Sequence, residues 1–181
     1  ARQGMQIIFQ NPFSSLDPHM SVGAIVGEPL RIAGALDRAS RRRSVGELIE
    51  RVGLPLDALD ERPTNFSGGQ RQRIAIARAL AAGACFIICD EPLSAIDVSL
   101  QAQIIALLQE VRREYGVTYL FISHDLSVVR FLADTVAVMY LGTIVERGPA
   151  DQVFTAPRHP YTRALIAAVP IPDPDVEKTR N

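Results

Sequence analysis

Three short apolar runs in this chain end in the same abrupt way, and that pattern narrows the folds open to it. Met5, Gln6, Ile7, Ile8 and Phe9 stop at Gln10, Asn11 and Pro12. Cys85, Phe86, Ile87, Ile88 and Cys89 stop at Asp90, Glu91 and Pro92. Tyr119, Leu120, Phe121 and Ile122 stop at Ser123, His124 and Asp125. Near-continuous apolar strands mark a sheet buried on both faces, usually parallel. A fourth run, residues 135–141, turns at Gly142 into residues 143–147 and reads as a terminal hairpin.

Helical patterns separate the strands. Asp97 can cap a helix reaching Tyr115, with Ile104, Leu107, Leu108 and Val111 on one face and Gly116 as its stop. Residues 40–52 form a second helix, with Val45, Leu48, Ile49 and Val52 at helical spacing and Gly53 after it. Ser67 can cap a third over residues 68–80. Strand–helix–strand alternation predicts an α/β layered domain. Three regions are expected: an α/β core from residues 1–10 and 83–148, a mostly helical subdomain over residues 11–82 inserted between the first two strands, and residues 149–181 as a short helix and fraying tail.

Composition removes several alternatives. With 19 Lys+Arg against 20 Asp+Glu, the formal net charge is -1, which argues against a dedicated nucleic-acid binder. The longest apolar run, residues 79–89, is too short for a membrane span of about 20 residues. The chain opens almost directly into a strand, with neither a signal peptide nor an initiating Met, and so reads as cut from something longer. The two cysteines, Cys85 and Cys89, are too far apart along one strand to bridge and are expected to be small buried hydrophobes.

In open parallel sheets, ligands sit beyond the carboxyl ends of the strands. Here those positions hold Gln10, Asp90, Glu91, Ser123, His124 and Asp125. An aspartate closing an apolar strand can hold Mg²⁺ beside a nucleotide phosphate, and the adjacent Glu91 could polarise an attacking water. Taken alone, Asp90 could equally cap a turn. Ser67, Gly68, Gly69 and Gln70 precede a helix whose amides and positive dipole end can take an anion. Taken alone, this is also an ordinary serine cap. Arg71, Arg73 and Arg78 can serve the helix surface rather than a phosphate, and Arg41, Arg42 and Arg43 read as a solvated face. His124 could bond a terminal phosphate or the attacking water, whereas His19 and His159 are read as structural.

Taken in order, these pieces resemble the ATP-binding subunits of ABC transporters. Phe66 through Arg73 is similar to the signature motif, and Cys85 through Pro92 to Walker B with its catalytic glutamate. Ser94, Ala95, Ile96 and Asp97 resemble the D-loop, Gln10 the Q-loop glutamine and His124 the switch histidine. A narrower resemblance, to oligopeptide and dipeptide importer ATPases with their nickel and glutathione relatives, rests on residues 10–18, 27–30, 159–162 and 168–174. Phe66, Leu93 and Ile96 stand where the wider family has Leu, Thr and Leu. No G-x-x-x-x-G-K-S/T loop, the Walker A element, occurs in these 181 residues.

The resemblance implies a P-loop NTPase-like, mostly parallel sheet lacking its P-loop strand. That strand would lie between residues 118–122 and 135–141, so the chain alone should bind ATP poorly. It implies an ATPase using ATP and Mg²⁺, with Asp90 and Gln10 toward the metal, and Glu91 and His124 catalytic. Ser67, Gly68, Gly69 and Gln70 would reach the nucleotide of a second ABC ATPase subunit, identical or paralogous, and Asp97 its P-loop region. Transmembrane permease subunits would be direct partners and an external solute-binding protein an indirect one, with no nucleic acid. The location would be peripheral, on the cytoplasmic face of the inner membrane, and the task import of peptides or a related small solute. The competing readings are a non-transport ABC ATPase in DNA repair or translation, and a non-catalytic regulatory fragment.

Overall fold

The apolar runs do become strands. In a computed structural model describing residues 4–11, 15–34, 36–94 and 96–168, β1 (Met5–Ile8), β2 (Phe86–Asp90) and β3 (Thr118–Ile122) form a parallel sheet in the order β1-β2-β3. Ile8 pairs in register with Cys89 and Cys89 with Phe121, so the three strand ends lie level. The chain divides into two compact units, Ala1–Ile122 and Ser123–Asn181.

In the first unit the sheet is buried on one face rather than two, which corrects the expectation. Ile8, Ile87 and Cys89 are almost wholly buried. On the opposite face Met5, Ile7, Leu120 and Ile122 are each more than 40% exposed. The buried face is covered partly by α4 (Val98–Tyr115), which sets Ile104, Leu107, Leu108 and Val111 inward. The Tyr119 hydroxyl on that face donates to the Leu108 carbonyl of α4 at 3.0 Å, and burial raises the Tyr119 pKa. Gly116 ends α4 in the left-handed conformation, at φ 64°. Cys89 is buried, and its thiol is pushed up to about 12 by that burial. Cys85 is exposed, another departure, because the strand begins one residue after it.

Between β1 and β2 the described residues hold no strand, only helices. These are α1 (Val22–Ala33), α2 (Arg38–Arg51) and α3 (Gly68–Ala81), with short 3₁₀ turns at Leu56–Asp60 and Pro63–Asn65. Ser21 caps α1, its hydroxyl accepting from the Ala24 amide at 3.3 Å. Asp37 caps α2, accepting from Ser40 at 2.8 Å, two residues earlier than the helical pattern suggested. α1 packs on both α2 and α3, burying Val22, Ile25, Val26, Val45, Ile49, Ile74 and Ile76. Arg78 fastens the group, donating to the Ser15 carbonyl and to Glu28, each at 3.0 Å.

The second unit holds α5 (Leu126–Leu132), the antiparallel hairpin of β4 (Thr135–Tyr140) and β5 (Thr143–Pro149), α6 (Ala150–Thr155) and α7 (Pro160–Ala167). Two short helices therefore stand where one was expected, and the expected tail lies outside the described residues beyond 168. Val136, Val138, Ala150 and Val153 form its buried cluster. Glu146 accepts from the amides of Arg158 and His159 at 2.8 and 2.9 Å, tying β5 to the start of α7. Proximity to the Thr162 hydroxyl and then these two amides pulls its carboxyl down to about 2. The hydroxyl is buried without a partner of hydrogen-bond geometry, so the amide bonds are what hold the carboxylate. β3 and β4 belong to different sheets. No helix among the described residues is long and apolar enough to cross a membrane.

Candidate functional site

Parallel pairing of β1 with β2 carries Gln10 and Glu91 to the same level. Gln10 lies two residues past Ile8 and Glu91 two past Cys89, the partners in register. There the Gln10 Nε2 donates to Glu91 Oε2 at 3.3 Å. With its nitrogen so engaged, the carboxamide oxygen of Gln10 is the atom suited to a hard cation. Asp90 ends β2 next to this pair and is exposed.

Glu91 sits in a constrained turn. Its φ is 45°, a left-handed conformation that costs a non-glycine residue about 1–3 kcal/mol. Its amide donates to the Ile122 carbonyl at 3.0 Å. Its carbonyl accepts from Ser94 twice, from the amide at 3.3 Å and the hydroxyl at 3.1 Å. Strain of this kind persists only where surrounding bonds over-determine it, and here they come from β3 and from the turn itself.

At the start of α3, Ser67 and Gln70 bond one another. The Ser67 amide donates to Gln70 Oε1 at 2.9 Å, and the Gln70 amide to Ser67 Oγ at 3.3 Å, a full capping box. Both side chains are thus engaged in fixing the helix start. The first-turn amides of Gly68 and Gly69 have no acceptor within the helix, as helix geometry requires. The arginines that follow brace the fold: Arg71 donates to the Pro63 carbonyl at 2.9 Å, and Arg73 to the Val52 carbonyl at 2.6 Å and to Gln103 at 2.9 Å. A cleft of about 450 Å³ beside this helix start is lined by Ser67, Gly69, Gln70, Arg73, Leu100 and Gln103 among others. A wider groove of about 720 Å³ along α2, bordered by Arg38, Arg42 and Arg43, touches no candidate residue.

Asp97 is the residue before α4, but its carboxylate makes no cap bond, contrary to the expectation. The residue that holds this helix start is Gln101, whose Nε2 donates to the carbonyls of Leu93 at 3.1 Å and Ile96 at 3.0 Å. Sequence reading passed over it; the available signal was a glutamine one turn inside a helix that follows a polar loop. His124 lies two residues past the end of β3, at the start of the second unit, and is exposed. Its neighbour Asp125 caps α5, accepting from the amides of Ser127 and Val128 at 2.9 and 3.3 Å. His159 caps α7 through Nδ1, a structural role. The structure therefore brings Gln10 and Glu91 into contact, sets Asp90 beside them and leaves Ser67–Gln70 at a separate helix start.

Among the described residues no three His, Cys, Asp or Glu gather as a metal cage. Magnesium does not need one: it commonly takes one or two protein oxygens together with waters and phosphate oxygens. Asp90 and the Gln10 carboxamide oxygen fit that demand.

Residues 1–94 match the family described as ABC transporter, and residues 145–181 match the oligopeptide/dipeptide transporter C-terminal region. The chain is 52% identical over 177 residues to the oligopeptide transport ATP-binding protein OppF of Bacillus subtilis (strain 168), covering 97% of this chain and 58% of that protein. It is 51% identical over 179 residues to the dipeptide transport ATP-binding protein DppF of Escherichia coli (strain K12), covering 99% and 54%. The chain thus spans little more than half the length of these curated relatives. Among solved structures it resembles cbiO1 from Clostridium perfringens, part of the ABC transporter complex cbiONQ, with a TM-score of 0.76, 30% identity, and 86% of this chain and 61% of that chain covered. It also resembles the ATP-binding cassette MJ0796, solved as a dimer in a post-hydrolysis state bound to ADP and Pi, with a TM-score of 0.72, 30% identity and coverage of 82% and 64%.

Proposed function

The chain belongs to the ABC transporter family, and from that premise we propose that it is part of an ATP-hydrolysing subunit driving import of peptides or a related small solute. The observation that carries the reading is the contact of Gln10 with Glu91 at the carboxyl ends of adjacent parallel strands, with Asp90 alongside. In this reading Asp90 and the oxygen of Gln10 hold Mg²⁺, which supplies positive charge against the phosphate oxygens. Glu91 would orient and deprotonate the attacking water, its Oε2 held by Gln10 Nε2. His124 is assigned to the terminal phosphate on the strength of the switch-histidine resemblance alone.

The start of α3 serves a nucleotide held by a second ABC ATPase subunit, identical or paralogous. Its capping box supports a main-chain mode of binding: Ser67 and Gln70 fix the geometry, and the amides of Gly68 and Gly69 meet the phosphate. Asp97, whose carboxylate makes no cap bond, turns to that same partner. The division by task follows, with residues 1–10 and 83–148 as partial ATPase core, 11–82 as signature-bearing helical subdomain and 149–181 as C-terminal segment. The subunit would work against membrane permeases at the cytoplasmic face, with an external solute-binding protein as an indirect partner. Because these 181 residues contain no G-x-x-x-x-G-K-S/T loop, the activity is assigned to the intact subunit. There Glu91→Gln should retain bound ATP with turnover nearly abolished, read as nucleotide retention against phosphate release. Hydrolysis at the wild-type rate in that variant removes Glu91 from the base role, and micromolar ATP affinity of the 181-residue chain alone overturns its dependence on a P-loop.

A further inference from the structure

The segment between Glu91 and Asp97 is fastened from an unexpected direction. Residues that precede a helix are usually held by a side chain at the cap position, and Asp97 makes no such bond. Gln101, in the first turn and a half of α4, takes that work over. Side chains on a helix tilt toward its N-terminus, so the Gln101 carboxamide reaches back over the turn and places its two N–H groups on two carbonyls, Leu93 and Ile96. The Leu93 carbonyl also accepts from the Ile96 amide at 3.2 Å, using its second lone pair. Leu93 itself is buried.

Each end of the fastened segment meets a different part of the candidate site. At one end, Ser94 donates twice to the carbonyl of Glu91, whose φ of 45° needs such restraint. At the other, Ile96 and Leu100 lie against Gly69: a Cβ at Gly69 would stand 3.9 Å from Ile96 Cγ2 and 3.4 Å from Leu100 Cδ1. Gln101 thus binds both Leu93, next to the Ser94 that holds Glu91, and Ile96, which lies beside Gly69.

We propose that Gln101 is a positioning residue whose carboxamide clamp on Leu93 and Ile96 sets the Glu91 turn and couples it to the start of α3, so that the hydrolytic carboxylate and the phosphate-facing helix of one subunit move together. The assignment of chemistry to Glu91 and Gly69 rests on the function proposed above; the clamp itself does not. Removing it leaves the ATP contacts in place but lets the Glu91 carboxylate wander, which affects the chemical step more than binding.

Two measurements separate these layers. Amide hydrogen exchange on the 181-residue chain compares Gln101→Met, which keeps the size and loses the donors, Gln101→Glu, which turns a donor into a repelling oxygen, and Gln101→Lys, which restores donors. Exchange at Ser94 and Ile96 should rise at least tenfold in the Met and Glu variants, fall back in the Lys variant and stay unchanged in α1 and α2. Equal rises throughout the first unit, or no rise at the two amides, overturn the clamp. ATPase kinetics in the assembled transporter should then show kcat lowered about tenfold in the Met and Glu variants with KM for ATP unchanged, and recovery in the Lys variant. A raised KM at unchanged kcat overturns the positioning role. An inactive wild-type assembly defeats the proposed function instead, while the exchange result still decides the clamp.

Discussion

Adding one methyl group at Gly69 tests whether this glycine serves the fold or something that approaches from outside. Gly69 is the second residue of α3 and is buried. A Cβ there would stand 3.4 Å from Leu100 Cδ1, 3.7 Å from Leu100 Cβ and 3.9 Å from Ile96 Cγ2, all ordinary contacts. Nothing has to move, and alanine in a helix is about 0.5–1 kcal/mol more favourable than glycine. Gly69→Ala should therefore raise the urea midpoint of the chain, equivalent to a melting shift of about 2–4 °C per kcal/mol at this size. Gly53 provides the opposite case. Its φ is +76°, and an added Cβ would fall 2.7 Å from Arg73 Nη1, the atom already bonded to the Val52 carbonyl. Gly53→Ala should lose more than about 1 kcal/mol from the left-handed backbone alone. Under the proposed function, Gly69→Ala in the intact subunit should weaken ATP-driven association despite its greater stability, because the methyl adds bulk against Ile96 and Leu100, on either side of the partner-facing Asp97. If Gly69→Ala instead unfolds at lower urea than the wild type, the glycine is a packing requirement and the reasoning fails.

The packing of the strands and the hairpin fixes three further outcomes. Ile87→Ala, at a fully buried position in the central strand, should cost about 2–5 kcal/mol in urea unfolding, whereas Leu120→Ala on the exposed face should cost less than about 1 kcal/mol; equal losses would refute a sheet covered on one side. Leu141 holds φ 47° in the two-residue turn with Gly142 (φ 77°), so Leu141→Asn should stabilise the hairpin by up to about 1 kcal/mol in thermal melts, and a destabilised variant would refute the turn assignment. Glu146 has its folded pKa depressed from the usual carboxylate value to about 2, so the stability it lends is present above the unfolded pKa and lost as pH falls between about 4 and 2; Glu146→Gln should flatten that acid limb, and an unchanged limb would remove Glu146 as its source.

What could be read from the residues, and what could not, follows from the kind of signal each position carries. The strands were visible because each is a run of apolar residues cut off by polar ones, a local signal. Which face of the sheet is covered was not, because alternation of burial along β1 and β3 depends on what lies over them, and Ile7 and Ile8 look alike as letters. α1 was hidden by Gly23, Gly27 and Pro29, which lower helix propensity; the helix stands because Val22, Ile25 and Val26 are buried against its neighbours. α5 is seven residues long and its cap, Asp125, reads from the sequence as a companion of His124 rather than as the start of a helix. Cys85 was expected inside because it extends an apolar run, yet pairing begins at Phe86, where the amides of both residues turn to the Gly4 carbonyl.

The candidate site shows the same division between local and tertiary information, with a chemical consequence. Ser67 and Gln70 stand out in the sequence as polar side chains around two glycines, and such residues invite assignment as ligands. In the folded chain each accepts from the other's amide, and between them stand the amides of two residues with no side chain at all. Likewise Asp97 stands out as a helix cap, yet the bonds that a cap would make are made by Gln101 from inside the helix. In both places a side chain that looks reactive is separated from the group that fixes the backbone. At α3 the side chains fix and the backbone is offered; at α4 the fixing is delegated, and the Asp97 carboxylate is offered. Under the proposed function this surface meets a second subunit repeatedly, and it gains from the arrangement, since contacts that form and break with the partner are then not the ones that hold the segment's own shape.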